Sequence, residues 1–191
     1  MKVLVLAAGF GVRLREVIHG QPKHMASVNG RPFLRHLAEL LRRRGVKEII
    51  FSVGYLPQPI KDEFAGYQFS EDDRPMGTGG SLKNAQKFFR TDFLLINGDT
   101  YLDINYQKLM SKHKESGAIL TIVQKDGINA GAYAVSPKIF PLIPEGTKIS
   151  LEEETIPHLK ACGQINLFPI KASFIDIGSP EGYIEAIKKL K

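Results

Sequence analysis

The chain has one cysteine, Cys162, in 191 residues. No internal disulfide can form, and a reduced, cytoplasmic setting is the expectation. No apolar run approaches the roughly 20 residues a membrane helix needs, so no membrane association is expected. The opening MKVLVLAA is apolar but short, and a Gly/Arg turn follows it with no cleavage region. A signal peptide is therefore not expected. Internal repeats, low-complexity tracts and linkers are also missing, which points to one domain over residues 1–191. Hydrophobic residues at 43% and charged residues at 24% are the values of an ordinary folded protein, and they exclude disorder.

Acidic residues are fewer than basic ones: the net charge is +6 and the pI about 9.4. Such a balance suits nucleic acid, an anionic membrane surface or small phosphorylated ligands. Its distribution narrows the choice. Arg42, Arg43 and Arg44, like Lys188, Lys189 and Lys191, fall where helices are expected to end, and cations there complement the helix dipole. The stacking aromatics that single-strand binders interleave with cations are absent nearby. Nucleic acid is therefore not an expected partner.

What is present is an alternation of strands and helices. Lys2–Ala8 is a nearly continuous apolar run, suited to a strand buried on both faces. Pro32 opens a helix with Phe33, Leu37, Leu40 and Leu41 on one face, and Gly45 ends it. Glu48–Gly54 reads as a strand. Pro57 and Pro59 mark a loop before a short helix around Ile60–Phe64, and Tyr67–Ser70 reads as a further strand. Asp73–Gly80 has no periodicity and is expected to be irregular. A helix carrying Leu82, Ala85, Phe88 and Phe89 follows, then the strand Asp92–Asn97 and a helix over Asn105–Glu115. Strands at Ile119–Gln124 and Ile128–Val135 are joined by a very short link, which makes the sheet mixed. Ser150 and Glu153 form a capping-box pattern for a helix through Lys160. Ile165–Pro169 and Ala172–Ile177 read as strands, and Ser179 and Pro180 open the last helix, Pro180–Leu190. The pattern predicts an α/β layer fold with a mixed, mainly parallel sheet.

In an open α/β sheet, ligands bind beyond the carboxyl ends of the strands. Three places meet that rule. The first strand ends in AAGFGVR, where small residues let backbone N–H groups approach an anion and Arg13 offers a planar fork for phosphate oxygens. By itself this is neither a dinucleotide fingerprint nor a P-loop, and a phosphate loop and an ordinary strand-to-loop turn both remain open. Lys23, ten residues after Arg13, sits in GQPKHM on an extended or turned segment; alone it reads as a surface lysine. Asp99 follows the strand DFLLIN, and Asp176 lies between Ile175 and Ile177. A carboxylate in such a place is costly unless paired. Two of them could share one Mg²⁺, or each could cap a loop or pair with an arginine.

Taken together, LAAGFGVRLREV…PKHMASVNGRPFL resembles the signature of the sugar nucleotidyltransferases, which make nucleotide-sugars from an NTP and a sugar 1-phosphate. FSVGYLPQPI, PMGTGGSLKNA, FLLINGDT, INAGAYAV, SLEEETIPHLKA and FIDIGSPEGYIEA resemble later blocks of that family in the same order. The likeness spans essentially the whole chain and is greatest to the mannose- and heptose-1-phosphate guanylyltransferase branch. It implies a Rossmann-like three-layer α/β/α sandwich of the nucleotide-diphospho-sugar transferase type. It implies transfer of a nucleotidyl group, guanylyl favoured, with Mg²⁺ as cofactor. The partners implied are an NTP and a sugar 1-phosphate, with the oligomeric state left open to a homo-oligomer.

The resemblance also distributes roles. Leu6, Ala7, Ala8, Gly9 and Gly11 would hold base and ribose. Arg13 would neutralise the phosphates that leave as pyrophosphate, and Lys23 the α-phosphate. Pro75, Gly77 and Thr78 belong to the loop that reads the base edge, with Gly79 beyond them toward the sugar phosphate. Asp99 and Asp176 would hold Mg²⁺, and Asn129 faces the sugar. Departures are local. Between Ile119 and Asn129 relatives carry a longer excursion with a Glu-Lys pair on the sugar phosphate; here Gln124 replaces the Glu and Lys125 stands for the Lys. No C-terminal β-helix domain is expected. Molybdenum-cofactor transferases share the wider fold but place the lysine differently. Two other readings stay open: a uridylyl- or cytidylyltransferase on another acceptor, and a non-catalytic nucleotide-sugar sensor, against which the joint presence of Arg13, Lys23, Asp99 and Asp176 argues.

Overall fold

The computed structural model describes residues 1–9 and 20–190. In chain order the described strands are β1 (Lys2–Leu6), β2 (Ser27–Val28), β3 (Arg31–Pro32), β4 (Glu48–Val53), β5 (Gln68–Glu71), β6 (Phe93–Asn97), β7 (Thr100–Leu102), β8 (Leu120–Lys125), β9 (Ile128–Val135), β10 (Ile165–Pro169) and β11 (Phe174–Asp176). Seven of them form one sheet in the order β10-β8-β9-β6-β1-β4-β5. β1 pairs in parallel with β4 on one side and β6 on the other, β5 extends β4 in parallel, and β10 runs parallel to β8. Only β9 runs against its neighbours β6 and β8. The sheet is therefore mixed and mainly parallel, as the pattern predicts.

The side chains of β1 explain its central place. Val3 and Val5 join one core, whereas Leu4 and Leu6 join another, because successive residues of a strand point to opposite faces. The first core packs the helix Phe33–Arg43 through Leu34, Leu37 and Leu41, and the helix Tyr106–Ser116 through Leu109. The second packs Leu82 of the helix Gly77–Asn84 and Leu159 of the helix Ile156–Ala161. Helices thus cover both faces, giving the three-layer sandwich. A smaller cluster, Val28, Phe33, Ile175, Ile177, Ala186 and Leu190, ties the C-terminal helix Pro180–Lys189 and the two-stranded pair β7–β11 to the hairpin β2–β3.

Four local expectations need correction. Pro57 and Pro59 are not a loop: both lie in the first turn of a helix over Pro57–Glu63, where a missing N–H removes no helical bond. The segment read as irregular is helical from Gly77 on, because Gly79 and Gly80 donate their backbone N–H groups to Ile149 O at 2.9 and 3.3 Å. That helix ends at Asn84 and continues as a 3₁₀ turn through Phe88. Ser150 caps as expected, its hydroxyl accepting from the Glu153 N–H at 3.1 Å. The reciprocal bond to the Ser150 N–H comes from Glu154, at 2.9 Å, and not from Glu153. The reason is a wide π turn over Leu151–Thr155, which shifts the side chains by one residue. The last strand is confined to Phe174–Asp176 and pairs antiparallel with β7, outside the main sheet.

Gly77 illustrates how tightly the 77–80 turn is fitted. Its φ is +71°, and a Cβ there would lie 2.4 Å from the Ile149 carbonyl oxygen. Gly117 has a similar φ of +66° but open space around it. Gly117→Ala is expected to cost about 1 kcal/mol and Gly77→Ala about 3 kcal/mol, since only the second adds a backbone clash to the left-handed strain. Urea unfolding of the two variants measures the difference, and equal losses would remove the clash argument.

Candidate nucleotide site

The carboxyl ends of β1, β4 and β6 meet at a single edge of the sheet. Beyond Leu6 the chain runs on as Ala7–Gly9, held by Ala7 N–H to Ser52 O at 2.8 Å on one side. On the other side Gly98 N–H donates to Leu6 O at 2.8 Å. This splice requires small residues. A Cβ on Gly98 would sit 2.6 Å from Leu6 O, and one on Gly54 would sit 3.2 Å from the Ala8 Cβ. The strand ends open into a cavity of about 450 Å³. Leu6, Ala8, Gly9, Lys23, Asn97 and Asp99 line its floor side, and the segment Asp72–Thr78 lines the other.

The structure brings together residues that are far apart in sequence. Pro22 leads into a one-turn 3₁₀ helix, Lys23–Met25, which turns the Lys23 side chain over Gly9: a Cβ on Gly9 would lie 3.7 Å from Lys23 Cε. Lys23 Nζ is ion-paired and hydrogen-bonded to Asp99 Oδ2, with the two side chains 18% and 17% exposed. Lys23 is thus no freely solvated lysine. Burial acts to raise the Asp99 pKa, but the Lys23 charge, His24 and the Lys23 hydrogen bond outweigh it and hold the carboxyl below its ordinary range. Asp176 reaches the same edge by another route. It pairs with Thr100 across β7–β11, and the next residue, Ile177, donates its N–H to Asp99 O at 3.0 Å. Asp176 Oδ1 accepts from Gly178 N–H at 2.7 Å. The backbones of the two aspartates are therefore neighbours, although Asp176 does not line the cavity itself. Among the described residues no group of three or more His, Cys, Asp or Glu side chains is assembled around one point.

Of the other expected residues, Pro75, Gly77 and Thr78 line the cavity. Ala7 is buried beneath it, and Gly79 packs against Ile149 and Leu151. Gly11 and Arg13 lie outside the described residues. Asn129, the second residue of β9, does not line the cavity; two residues on, Gly131 stands beside the end of β6: with φ +66°, a Cβ on it would lie 2.8 Å from Thr100 Oγ1 and 3.1 Å from Asn97 Nδ2. Lys125 ends β8, paired with Ile128 in the tight β8–β9 hairpin, and does not line the cavity.

Sequence reasoning missed three residues. Asp72 is 5% exposed and lines the cavity. Its Oδ2 accepts from Ser81 Oγ, and its Oδ1 from Asn84 Nδ2 at 2.8 Å. Burial pushes its pKa up, opposed by those two hydrogen bonds. In the run SEDDRP it reads as one of several solvated charges, and nothing local distinguishes it. Lys148 also lines the cavity. Glu152 accepts from Thr78 Oγ1 at 2.5 Å and from Tyr133 Oη at 3.1 Å, and Tyr133 Oη accepts from Asn129 Nδ2 at 2.7 Å. Its position in the repeated acids of SLEEET gives no sign of this.

His24, beside Lys23, is 1% exposed, and among the described residues its Nδ1 has no hydrogen-bond partner. Burial, with the adjacent Lys23 charge, pushes its pKa down to about 3 against the opposing pull of Asp99. Between about pH 3 and 6.5 the unfolded chain therefore binds a proton at this ring that the folded chain does not. The stability from the neutral ring is complete above pH 6.5 and is lost as pH falls toward 3, at a limiting slope of about 1.4 kcal/mol per pH unit. Unfolding titrations of wild type and His24→Gln from pH 7 to 4.5 are expected to show a shallower loss in the variant. Parallel curves would mean that the ring is not held neutral.

Comparison with known proteins identifies the family and the fold. Residues 3–156 match the model of the MobA-like NTP transferase domain. The D-glycero-alpha-D-manno-heptose 1-phosphate guanylyltransferase of Campylobacter jejuni is 34% identical, over 96% of this chain and 97% of that protein. The mannose-1-phosphate guanyltransferase of Debaryomyces hansenii is 29% identical over 96% of this chain, which spans 63% of that longer protein. Among solved structures, HddC from Yersinia pseudotuberculosis superposes with a TM-score of 0.87 at 33% identity, covering 100% of this chain and 99% of that one. A second structure of HddC, complexed with GMP-PN, gives a TM-score of 0.85 at 31% identity, over the same shares of the two chains. The chain belongs to the MobA-like NTP transferase domain family, as the order of its sequence blocks leads one to expect of a nucleotidyltransferase.

Proposed function

We propose that this protein transfers the guanylyl group of GTP to a sugar 1-phosphate, mannose or heptose 1-phosphate, releasing pyrophosphate. The observation that carries the reading is the Lys23–Asp99 pair lying over Gly9 at the end of β1, on the floor of a nucleotide-sized cavity. A phosphate oxygen of the sugar 1-phosphate attacks the α-phosphorus. A new P–O bond forms there, and the bond to the β-phosphate breaks. Both reactants are anions, so the enzyme supplies positioning and positive charge rather than a nucleophile or base. Lys23, held in place by Asp99, meets the α-phosphate. Arg13, outside the described residues, is assigned to the phosphates that leave.

The residues fit a magnesium ion. Asp99 already holds one cation, the Lys23 ammonium, and Asp176 brings a second hard oxygen donor to the neighbouring backbone position. Two carboxylates plus substrate phosphates are the donor set this ion prefers. When bound, Mg²⁺ supplies charge neutralisation to the reacting phosphates. Asp99→Ala and Asp176→Ala are each expected to lower turnover at least about hundredfold in a pyrophosphate-release assay. Near-normal turnover in either variant would remove that aspartate from the site.

Guanine is favoured by Asp72. It is a buried carboxylate on the cavity wall, each oxygen engaged once, with a lone pair left on each. The guanine edge presents two adjacent donors, N1–H and the exocyclic amine, which a carboxylate accepts as a pair. Uracil and cytosine lack that pair. The segment Asp72–Thr78 then forms the base wall and Asn129 the acceptor side. The reading places the enzyme with its NTP supply in the cytoplasm, and no described helix is long and apolar enough to cross a membrane.

The assay uses Mg²⁺, each common NTP and inosine triphosphate, with a panel of sugar 1-phosphates. GTP is expected to give pyrophosphate, and inosine triphosphate, which lacks the exocyclic amine, about tenfold lower kcat/KM. Asp72→Asn is expected to lower kcat/KM for GTP about 10- to 100-fold and to shrink the gap between the two nucleotides. Release with UTP or CTP and not GTP would overturn the base assignment, and no release with any pair would favour a sensor.

A further inference from the structure

The hydrogen-bond chain around Glu152 has a direction. Tyr133 is fully buried, and burial, reinforced by the nearby Glu152 charge, pushes its phenol pKa up. The phenol therefore keeps its proton, and its partner Glu152 can only accept. Tyr133 Oη donates to Glu152 Oε1 at 3.1 Å. Its oxygen is then left to accept, and it does so from Asn129 Nδ2 at 2.7 Å. The amide of Asn129 is consequently fixed end to end: Nδ2 toward Tyr133, and Oδ1 toward the Gly131 N–H at 3.0 Å. The other oxygen of Glu152 serves the opposite arm. Oε2 accepts from Thr78 Oγ1 at 2.5 Å, and that hydroxyl in turn accepts from Leu151 N–H at 2.8 Å. Ser150 Oγ stands a further 3.5 Å from the same oxygen.

The two ends of this chain lie at different parts of the site. Thr78 lines the cavity on the side of the Asp72–Thr78 loop. Gly131 lies at the other end, against Asn97 and Thr100, which flank Asp99 in sequence, and Asn129, two residues before it, stands beside the cavity rather than on its lining. Glu152 itself sits in the wide π turn Leu151–Thr155, which is what aims it between the two. A π turn of this kind gives up regular helical bonding, and such departures concentrate where a side chain has to be placed.

We propose that Glu152 is a positioning residue, one carboxylate that orients both the Thr78 hydroxyl on the nucleotide side and, through Tyr133, the Asn129 amide on the acceptor side. The proposal rests on the guanylyltransferase reading above. Glu152 touches neither substrate; it decides which atom of Thr78 and which end of Asn129 each substrate meets. A neutral amide at 152 presents its acceptor oxygen at one end and its NH₂ donors at the other, so it can hold only one arm at a time and, turning over, leaves each arm unheld in part of the molecules.

Steady-state kinetics of two variants test this. Tyr133→Phe deletes one oxygen and cuts only the arm to Asn129. It is expected to raise KM for the sugar 1-phosphate at least about fivefold and to leave KM for GTP within about twofold. Glu152→Gln is expected to raise both. In the double variant the acceptor effect is expected to be no larger than in Tyr133→Phe alone, because that change already cuts the arm Glu152 holds. Thermal melts run alongside, and a merely structural role predicts lower melting temperatures with both KM values moving together. That result, or an acceptor KM unchanged in Tyr133→Phe, overturns the proposal. Wild-type turnover separates the two readings: an inactive wild type overturns the functional reading and this one with it, whereas an active wild type with an unselective Tyr133→Phe overturns this one alone.

Discussion

The ion pair between Lys23 and Asp99 is the contact on which the site depends. It joins a residue that follows β1 to one that follows β6, across 76 positions of sequence. Both side chains are mostly removed from water, and such a pair is strongly destabilised if either partner is removed. It can form only because β1 and β6 are adjacent parallel strands in register, Leu6 opposite Asn97, so that both chains leave the sheet at one edge. The small residues at that edge follow from the same constraint: Gly98 and Gly9 let backbone and the Lys23 stem pass within contact distance.

Around this pair the molecule arranges two walls of different character. The Asp72–Thr78 wall is pinned from behind by backbone bonds to Ile149 and by the Asp72 bonds to Ser81 and Asn84. The segment Asn129–Gly131, proposed to face the acceptor, lies near the start of the one strand of the main sheet that runs against both neighbours. That reversal turns the amino end of β9 toward the carboxyl ends of β1 and β6. An antiparallel β9 is thus what delivers Asn129 to the same edge as Asp99. Among the described residues Glu152 and its π turn link the two walls, one member of the acidic run SLEEET bridging Thr78 and, through Tyr133, Asn129.

Much of this was legible beforehand. The continuous apolar runs KVLVL and FLLIN are strands buried on both faces, and no other arrangement buries them so completely. Acids and glycines directly after such runs mark the ligand edge. Less legible were features decided by packing across long separations. Pro57 and Pro59 look like loop residues, yet the first turn of a helix accepts them. GTGG looks irregular, yet Ile149 supplies the partners that let it start a helix. Asp72 and Glu152 look like members of acidic runs, since a charge run gives no local sign of which member is turned inward.

The amino-acid sequence alone determined the layer architecture, the burial of β1 on both faces and the chemistry available at the strand ends: glycine, lysine and two aspartates. Hydrophobic periodicity and backbone stereochemistry are local, and they act on residues a few positions apart. Tertiary structure alone decided which of those groups face one another: that Lys23 meets Asp99, that Asp176 reaches the neighbouring backbone through a second small sheet, and that Glu152 spans Thr78 and Tyr133. Ion pairs and hydrogen bonds depend on distances of a few ångströms, and only the packed sheet sets those distances for residues so far apart in the chain.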